Sequence, residues 1–257
     1  MATIRARSRL ARFAEAFDQD GEPRQFPDIG ADAMLPGEAL GEHEAKRILA
    51  RAGIAVLPEE LAPDPSAAAH AAARLGFPVA MKIASPDIPH KTEVGGVALN
   101  LGDMTAVKNA AEAMLASVAG KAPDARIEGF LLSPMAGEGV ELIVGMRRDP
   151  VMGPVAMVGL GGIFTEVLKD VAVGLAPLSA AQAKDLIASL RGSAILGGVR
   201  GRAPADIDAA ADAISRLSVL AARNADRFDS IEINPLLVRA SGAVALDALI
   251  VPRAGDD

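Results

Sequence analysis

The chain has 257 residues, enough for one large domain or two small ones, and its 51% hydrophobic content supplies a sizeable core. It has no Cys, Trp or Tyr, so that core is largely aliphatic, and disulfides and thiolate metal sites are excluded. A formal net charge of -7 argues against nucleic acid as a partner, so any anion site must be a local concentration of positive charge.

No apolar run approaches the length of a membrane-crossing helix. Residues 4–17 carry Arg5, Arg7, Arg9 and Arg12 with no acid before Glu15, and Leu10, Phe13 and Phe17 fall at helical spacing. Two readings stay open there: an amphipathic helix lying on its own domain or a partner, and a stretch like a mitochondrial transit peptide. Residues 21–37 are rich in Pro, Gly and Asp and read as a linker or an extended arm. Ala45, Ile48, Leu49 and Ala52 then form a helical stripe that stops at Gly53, followed by a short predicted strand over 55–57. Asp64 and Pro65 supply an N-cap and a first-turn proline for an Ala-rich helix ending at Gly76.

Residues 79–83 and 97–101 read as strands joined by a basic, Gly-ended loop. Such a flap can close on phosphates through its cations and its backbone N–H groups. Lys82 sits among apolar residues, either as a buried cation needing an anion or as a side chain snorkelling from a strand end. Asp103 caps a predicted helix over 104–119, and strands follow at 129–134, 141–146 and 154–160. The last two are separated by so short a turn that they should pair antiparallel. Ser179 and Asp206 cap predicted helices running to about 190 and 225, and two β runs, 230–238 and 243–251, close the chain. Strands and helices alternate in an α/β pattern, residues 135–139 read as a flexible crossing between two halves, and the layout suits two α+β lobes.

The closing hairpin carries a candidate metal site. A turn centred between Ala240 and Ser241 puts Asn234 directly opposite Asp247, with Cβ atoms roughly 5 Å apart, and puts Glu232 on the same face. An amide oxygen and carboxylates so placed suit Mg²⁺, and equally suit a strand's solvated polar face.

The run Lys82-Ile-Ala-Ser-Pro-Asp-Ile-Pro-His-Lys-Thr-Glu-Val-Gly-Gly-Val97 resembles the ATP-grasp domain of ADP-forming acyl-CoA synthetases, relatives of succinyl-CoA synthetase. The resemblance spans about 40–251 and includes Gly159-Leu-Gly-Gly-Ile-Phe-Thr-Glu-Val-Leu-Lys-Asp170 and Glu232-Ile-Asn-Pro-Leu236. It implies an ATP-grasp fold with an N-terminal extension over 1–37, a first lobe with the phosphate flap over 38–130 and a second lobe with the metal hairpin over 131–257. It further implies that Lys82, Val94, Gly95 and Gly96 contact phosphate, and that Ser133, Pro134 and Met135 read the adenine edge through their backbone. Glu141 would accept from the ribose hydroxyls, Glu166 and Glu232 would lie near the nucleotide, and Asn234 and Asp247 would hold Mg²⁺ on ATP or ADP. His90 would carry phosphate between the nucleotide and a phosphohistidine on a CoA-binding partner, with Lys91 screening charge during transfer.

The chain has no strand–GxGxxG–helix unit for CoA or a dinucleotide, and His43 and His70 lie in helical patterns without a Gly-rich setting. The reading is therefore the β subunit of a two-part, cytoplasmic ligase, a hetero-oligomer with a CoA-binding α subunit or domain. Two alternatives are a single-chain ATP-grasp carboxylate ligase working through an acyl phosphate and a nucleotide-sensing module without catalysis.

Overall fold

The computed structural model describes residues 25–37, 40–88, 90–162, 170–198 and 203–253. The Arg-rich stretch 4–17, Pro89, Glu166 and Lys169 lie outside these described residues. Two antiparallel sheets organise the chain. The smaller has the order β1-β4-β2-β3, from β1 (Glu60–Ala62), β2 (Val79–Ala84), β3 (Val97–Leu101) and β4 (Gly129–Pro134). The larger runs β10-β8-β5-β6-β7, with β9 also pairing β8. Its strands are β5 (Val140–Asp149), β6 (Gly153–Leu160), β7 (Val171–Leu175), β8 (Phe228–Val238), β9 (Ala243–Ala245) and β10 (Ala248–Pro252).

Each sheet buries one face under helices. Helix α1 covers Glu42–Arg51, α2 Pro65–Leu75, α3 Met104–Lys121, α4 Ala180–Ala188 and α5 Ile207–Arg223. Met81, Ile83, Phe130 and Leu132 of the smaller sheet pack with Ala68, Ala72, Val107 and Ala111 of α2 and α3. Leu142, Val144, Ala156, Val158, Ile231 and Ile233 of the larger sheet pack with α4 and α5. The capping residues act as their types require: Asp64, Asp103 and Asp206 accept from the N–H of Ala67, Ala106 and Ala209. At α4, Ser179 Oγ accepts from Gln182 N and Gln182 Oε1 accepts from Ser179 N, a reciprocal capping box. Ser179→Ala is expected to lower the unfolding free energy by about 1 kcal/mol. A urea titration reads this as a lower midpoint at unchanged slope, and an unmoved midpoint would show the box to be dispensable.

The packing departs from the sequence expectation in several places. Residues 55–57 form no strand, only one bridge between Val56 and Ala245, and the strand comes at Glu60–Ala62. Pro58 lacks the N–H that would extend the pairing. Strand β7 is additional, and the closing run 243–251 is broken into β9 and β10. Helix α1 was expected with the flap lobe, yet Ala45, Ile48, Leu49 and Ala52 belong to the core of the larger sheet. Residues 25–37 form an arm on that same body, with Ile29, Ala33 and Leu35 buried. The arm is held by Asn224, which accepts from Leu35 N (3.0 Å), and by Arg227, which donates to Leu35 O (3.1 Å). Among the described residues, no helix is long and apolar enough to cross a membrane.

Candidate functional site

The site begins with a proline in a strand. The β8–β9 and β8–β10 pairings keep the expected register, with Leu236 opposite Ala245 and Ile233 opposite Ala248. Asn234 therefore lies opposite Asp247, and Pro235 lies opposite Leu246. Leu246 N donates to Pro235 O (3.0 Å), but Pro235 has no N–H to return the bond. The ladder breaks there, and Leu246 O is left to accept from other donors. Lys82 Nζ donates to it at 3.1 Å, and Lys46 Nζ lies at 3.5 Å.

Alternation along β2 explains how Lys82 arrives. Met81 and Ile83 point under α2 and α3, so Lys82 leaves the uncovered face. Its ammonium lies 2.7 Å from Asp247 Oδ2 and 2.7 Å from Glu42 Oε1. Glu42 also pairs with Lys46 at 3.0 Å, and Lys46 closes a further contact with Glu59. Lys91 Nζ lies 2.9 Å from Glu42 Oε2, near enough for an ion pair although hydrogen-bond geometry is lacking. His43 Nδ1 completes the set at 2.7 Å from Glu59 Oε1.

Three ammonium groups (Lys46, Lys82, Lys91) thus face three carboxylates (Glu42, Glu59, Asp247). A balanced cluster is what burial demands, since an unpaired charge there costs several kcal/mol. The Glu42 side chain is only 4% exposed, against 32% for Asp247. Burial alone would raise the Glu42 pKa, but Lys82, Lys46 and Lys91 outweigh it and pull it down to about 2. Burial pushes Lys82 down, and Asp247 with Glu42 more than reverses this, so its pKa is raised. The cluster also joins the two bodies. Lys82 and Lys91 come from the smaller sheet and its loop, whereas Glu42 and Asp247 belong to the larger body.

Glu141, Glu232 and Asn234 occupy the uncovered face of the larger sheet. Glu141 alternates with buried Leu142, and Glu232 and Asn234 alternate with buried Ile231 and Ile233. Asn234 Nδ2 donates to Glu232 Oε1 at 3.0 Å, which leaves the Asn234 amide oxygen for another partner. Gly161 N donates to Glu141 O (2.7 Å), and a Cβ on Gly161 would lie 2.8 Å from Glu141 Cβ. Only glycine lets this turn close over Glu141. Ser133 pairs with Ala80 and Pro134 with Val79, and Met135 N donates to Pro78 O at 3.3 Å. The described residues contain no cluster of three or more His, Cys, Asp or Glu arranged to hold a metal ion. A Mg²⁺ here would thus draw most of its shell from phosphate and water, as that ion usually does.

The flap differs from expectation. Gly95 N donates to Thr92 O (3.1 Å) and Gly96 N to Lys91 O (2.7 Å), so both donors are used within the turn and do not face a phosphate in this conformation. Helix α3 holds the turn from outside: Ser117 Oγ donates to Val94 O (2.7 Å) and Lys121 Nζ to Glu93 O (3.0 Å). His90 and Lys91 part company here. His90 is exposed, while Lys91 turns inward to Glu42.

Glu42, Lys46 and Glu59 were not singled out from the sequence. A signal did exist for the first two: with Ala45 and Leu49 they occupy positions 42, 45, 46 and 49, one helical face. Charges at i and i+4 on a face that is otherwise apolar mark a buried pair. Glu59 lies in a loop and carries no such pattern.

The chain matches the ATP-grasp domain family over residues 35–251. It is 38% identical to acetate–CoA ligase (ADP-forming) I of Archaeoglobus fulgidus, over 93% of this chain but 35% of that one. It is also 38% identical to the β subunit of acetate–CoA ligase (ADP-forming) II of Pyrococcus furiosus, over 83% of this chain and 91% of that subunit. Hence it spans about a third of the longer relative and nearly all of the separate subunit. Among solved structures, acetyl-coenzyme A synthetase 1 of Ca. Korarchaeum cryptofilum with coenzyme A, Ca-AMPCP and HgCl⁺ superposes with a TM-score of 0.80 at 39% identity. That match covers 83% of this chain and 93% of the other. The same synthetase with coenzyme A and Mg-AMPPCP, its phosphohistidine segment pointing towards the nucleotide site, gives a TM-score of 0.71 at 35% identity, over 82% of this chain and 92% of that one.

Proposed function

The chain belongs to the ATP-grasp domain family that includes the β subunits of ADP-forming acetate–CoA ligases, and from that premise we propose that it is the nucleotide half of an ADP-forming acyl-CoA synthetase. The reaction is acyl-CoA + ADP + phosphate ⇌ carboxylate + CoA + ATP. The observation that carries this reading is Lys82 seated on Asp247 where the uncovered faces of the two sheets meet. A cation-for-cation exchange is built into that contact. Asp247 would hold a divalent ion on the nucleotide in place of the ammonium, and Lys82 would then be free for a phosphate oxygen.

Asp247 and the Asn234 amide oxygen are the protein ligands for Mg²⁺ on the nucleotide, and Glu232 orients Asn234. When bound, Mg²⁺ supplies neutralising charge to the phosphates. Glu141, beside the Gly161 turn, accepts from the ribose hydroxyls, and the backbone of Ser133, Pro134 and Met135 borders the adenine. Glu166 is a further contact of the nucleotide. Val94, Gly95 and Gly96 reach phosphate only when the flap turn opens.

His90 receives the phosphoryl group on an imidazole nitrogen as the P–N bond to the partner's phosphohistidine breaks. An ADP β-phosphate oxygen then attacks phosphorus, the P–N bond to His90 breaks, and ATP forms. Lys91 neutralises part of the charge brought to its neighbour. The partner is a CoA-binding subunit or domain with its own phosphohistidine, in a cytoplasmic hetero-oligomer.

The test is reconstitution. The purified chain is expected to bind Mg-ATP in calorimetry yet make no acyl-CoA, and to gain synthesis when the CoA-binding chain is added. Full turnover by this chain alone would instead support a single-chain ligase working through an acyl phosphate. Nucleotide binding with no turnover in any reconstituted pair would support a sensing module.

A further inference from the structure

Glu42 lies outside the residues expected to touch nucleotide, yet it meets all three lysines of the site. Its place is fixed by the fold. It opens α1 at position 42, where the helix buries one face against the larger sheet, and its side chain is almost wholly enclosed. Asp247 differs: it lies in the break between β9 and β10 and is about one-third exposed. Lys82 thus has one fixed anion and one anion open to exchange.

The consequence follows from charge. Once metal takes Asp247, three ammonium groups remain against Glu42 and Glu59. The excess positive charge is then available to phosphate, provided that Lys82 stays at the cleft. We propose that Glu42 is a positioning residue, which keeps Lys82 aimed at the phosphates after Asp247 is surrendered and ties the His90 loop to the same point through Lys91. This inference rests on the nucleotide-binding reading above. Lys46 and Glu59 serve Glu42 in turn, Lys46 by pairing with both carboxylates.

A simple electrostatic view predicts the opposite for a charge-removing variant. Deleting a negative charge near an anion site should tighten ATP binding if the lysines stay in place. If Glu42 holds them in place, the uncompensated lysines leave the cleft and binding weakens. Calorimetry with ATP and saturating Mg²⁺, on the whole chain, separates the two. Glu42→Gln is expected to weaken ATP binding about tenfold, and Glu42→Asp, with the charge kept and the reach shortened, about threefold. In a Lys82→Met background Glu42→Gln should cost less than about twofold, because its main route of action is gone.

Circular dichroism checks that each variant is folded, and should Glu42→Gln not fold, the Glu42→Asp cycle decides. Equal or tighter binding by a folded Glu42 variant, or additive losses in the double variant, overturns the inference alone. Failure of the wild-type chain to bind ATP overturns the nucleotide-binding reading, and the inference with it.

Discussion

Replacing His90 by Ala should lower overall turnover of the reconstituted pair by orders of magnitude, while ADP affinity stays within about 1 kcal/mol, roughly a factor of five. The separation follows from where the groups lie. The proposed nucleotide contacts come from Lys82, Glu141 and the Asn234–Asp247 pair, whereas His90 is exposed. The loop is anchored on either side of His90, by Asp87 Oδ2 accepting from Arg126 N (2.7 Å) and by Lys91 pairing with Glu42. Ala at 90 removes the proposed phosphoryl acceptor without releasing either. Transfer of labelled phosphate from acyl-CoA and inorganic phosphate to the partner's own histidine should survive, because it precedes the step at His90. Wild-type transfer of label to ADP by the variant would reduce His90 to a loop residue.

Asp247→Asn should weaken Mg-ATP binding about tenfold to a hundredfold, the scale seen when even outer-shell groups of metal sites are lost. ATP binding without metal should stay within about fivefold. The variant keeps the shape of the side chain, and Lys82 retains Glu42 and Leu246 O as partners. Paired titrations with and without Mg²⁺ at one ionic strength give both numbers. An equal loss in the two titrations would mean that Asp247 acts through Lys82 and not through the metal.

These two sites differ in how far the sequence disclosed them. The Asn234–Asp247 opposition was legible because a short turn and a period of two fix every pairing of a hairpin once its centre is known. The break at Pro235 is implicit in the same reasoning, since proline cannot complete a ladder bond, yet the run 243–251 reads as one strand by its apolar pattern and is divided in the structure. Caps at Asp64, Asp103, Ser179 and Asp206 were legible because each acts on the residue three positions away.

Contacts between the bodies were not legible. Lys82 meets Asp247 across 165 positions and Glu42 across 40, and periodicity reports only which face a residue occupies. Lys82 could be read as needing an anion, but not which anion would supply it. For the same reason α1 was placed with the lobe next to it in sequence rather than with the core it enters. The flap shows a different limit. Its glycines were read as phosphate donors, whereas Gly95 at φ +73 and the close approach of Gly96 to Ile83 serve a turn that spends both N–H groups internally.

The relay through His90 is tested most directly by incubating the purified chain with Mg-ATP and mapping the product by mass spectrometry under alkaline conditions. A single phosphoryl group on His90, lost on brief acid treatment and passed back to added ADP, is the result expected of a P–N bond at that residue. An unmodified His90, or a phosphoryl group that survives acid on a hydroxyl side chain, would contradict a relay through this loop.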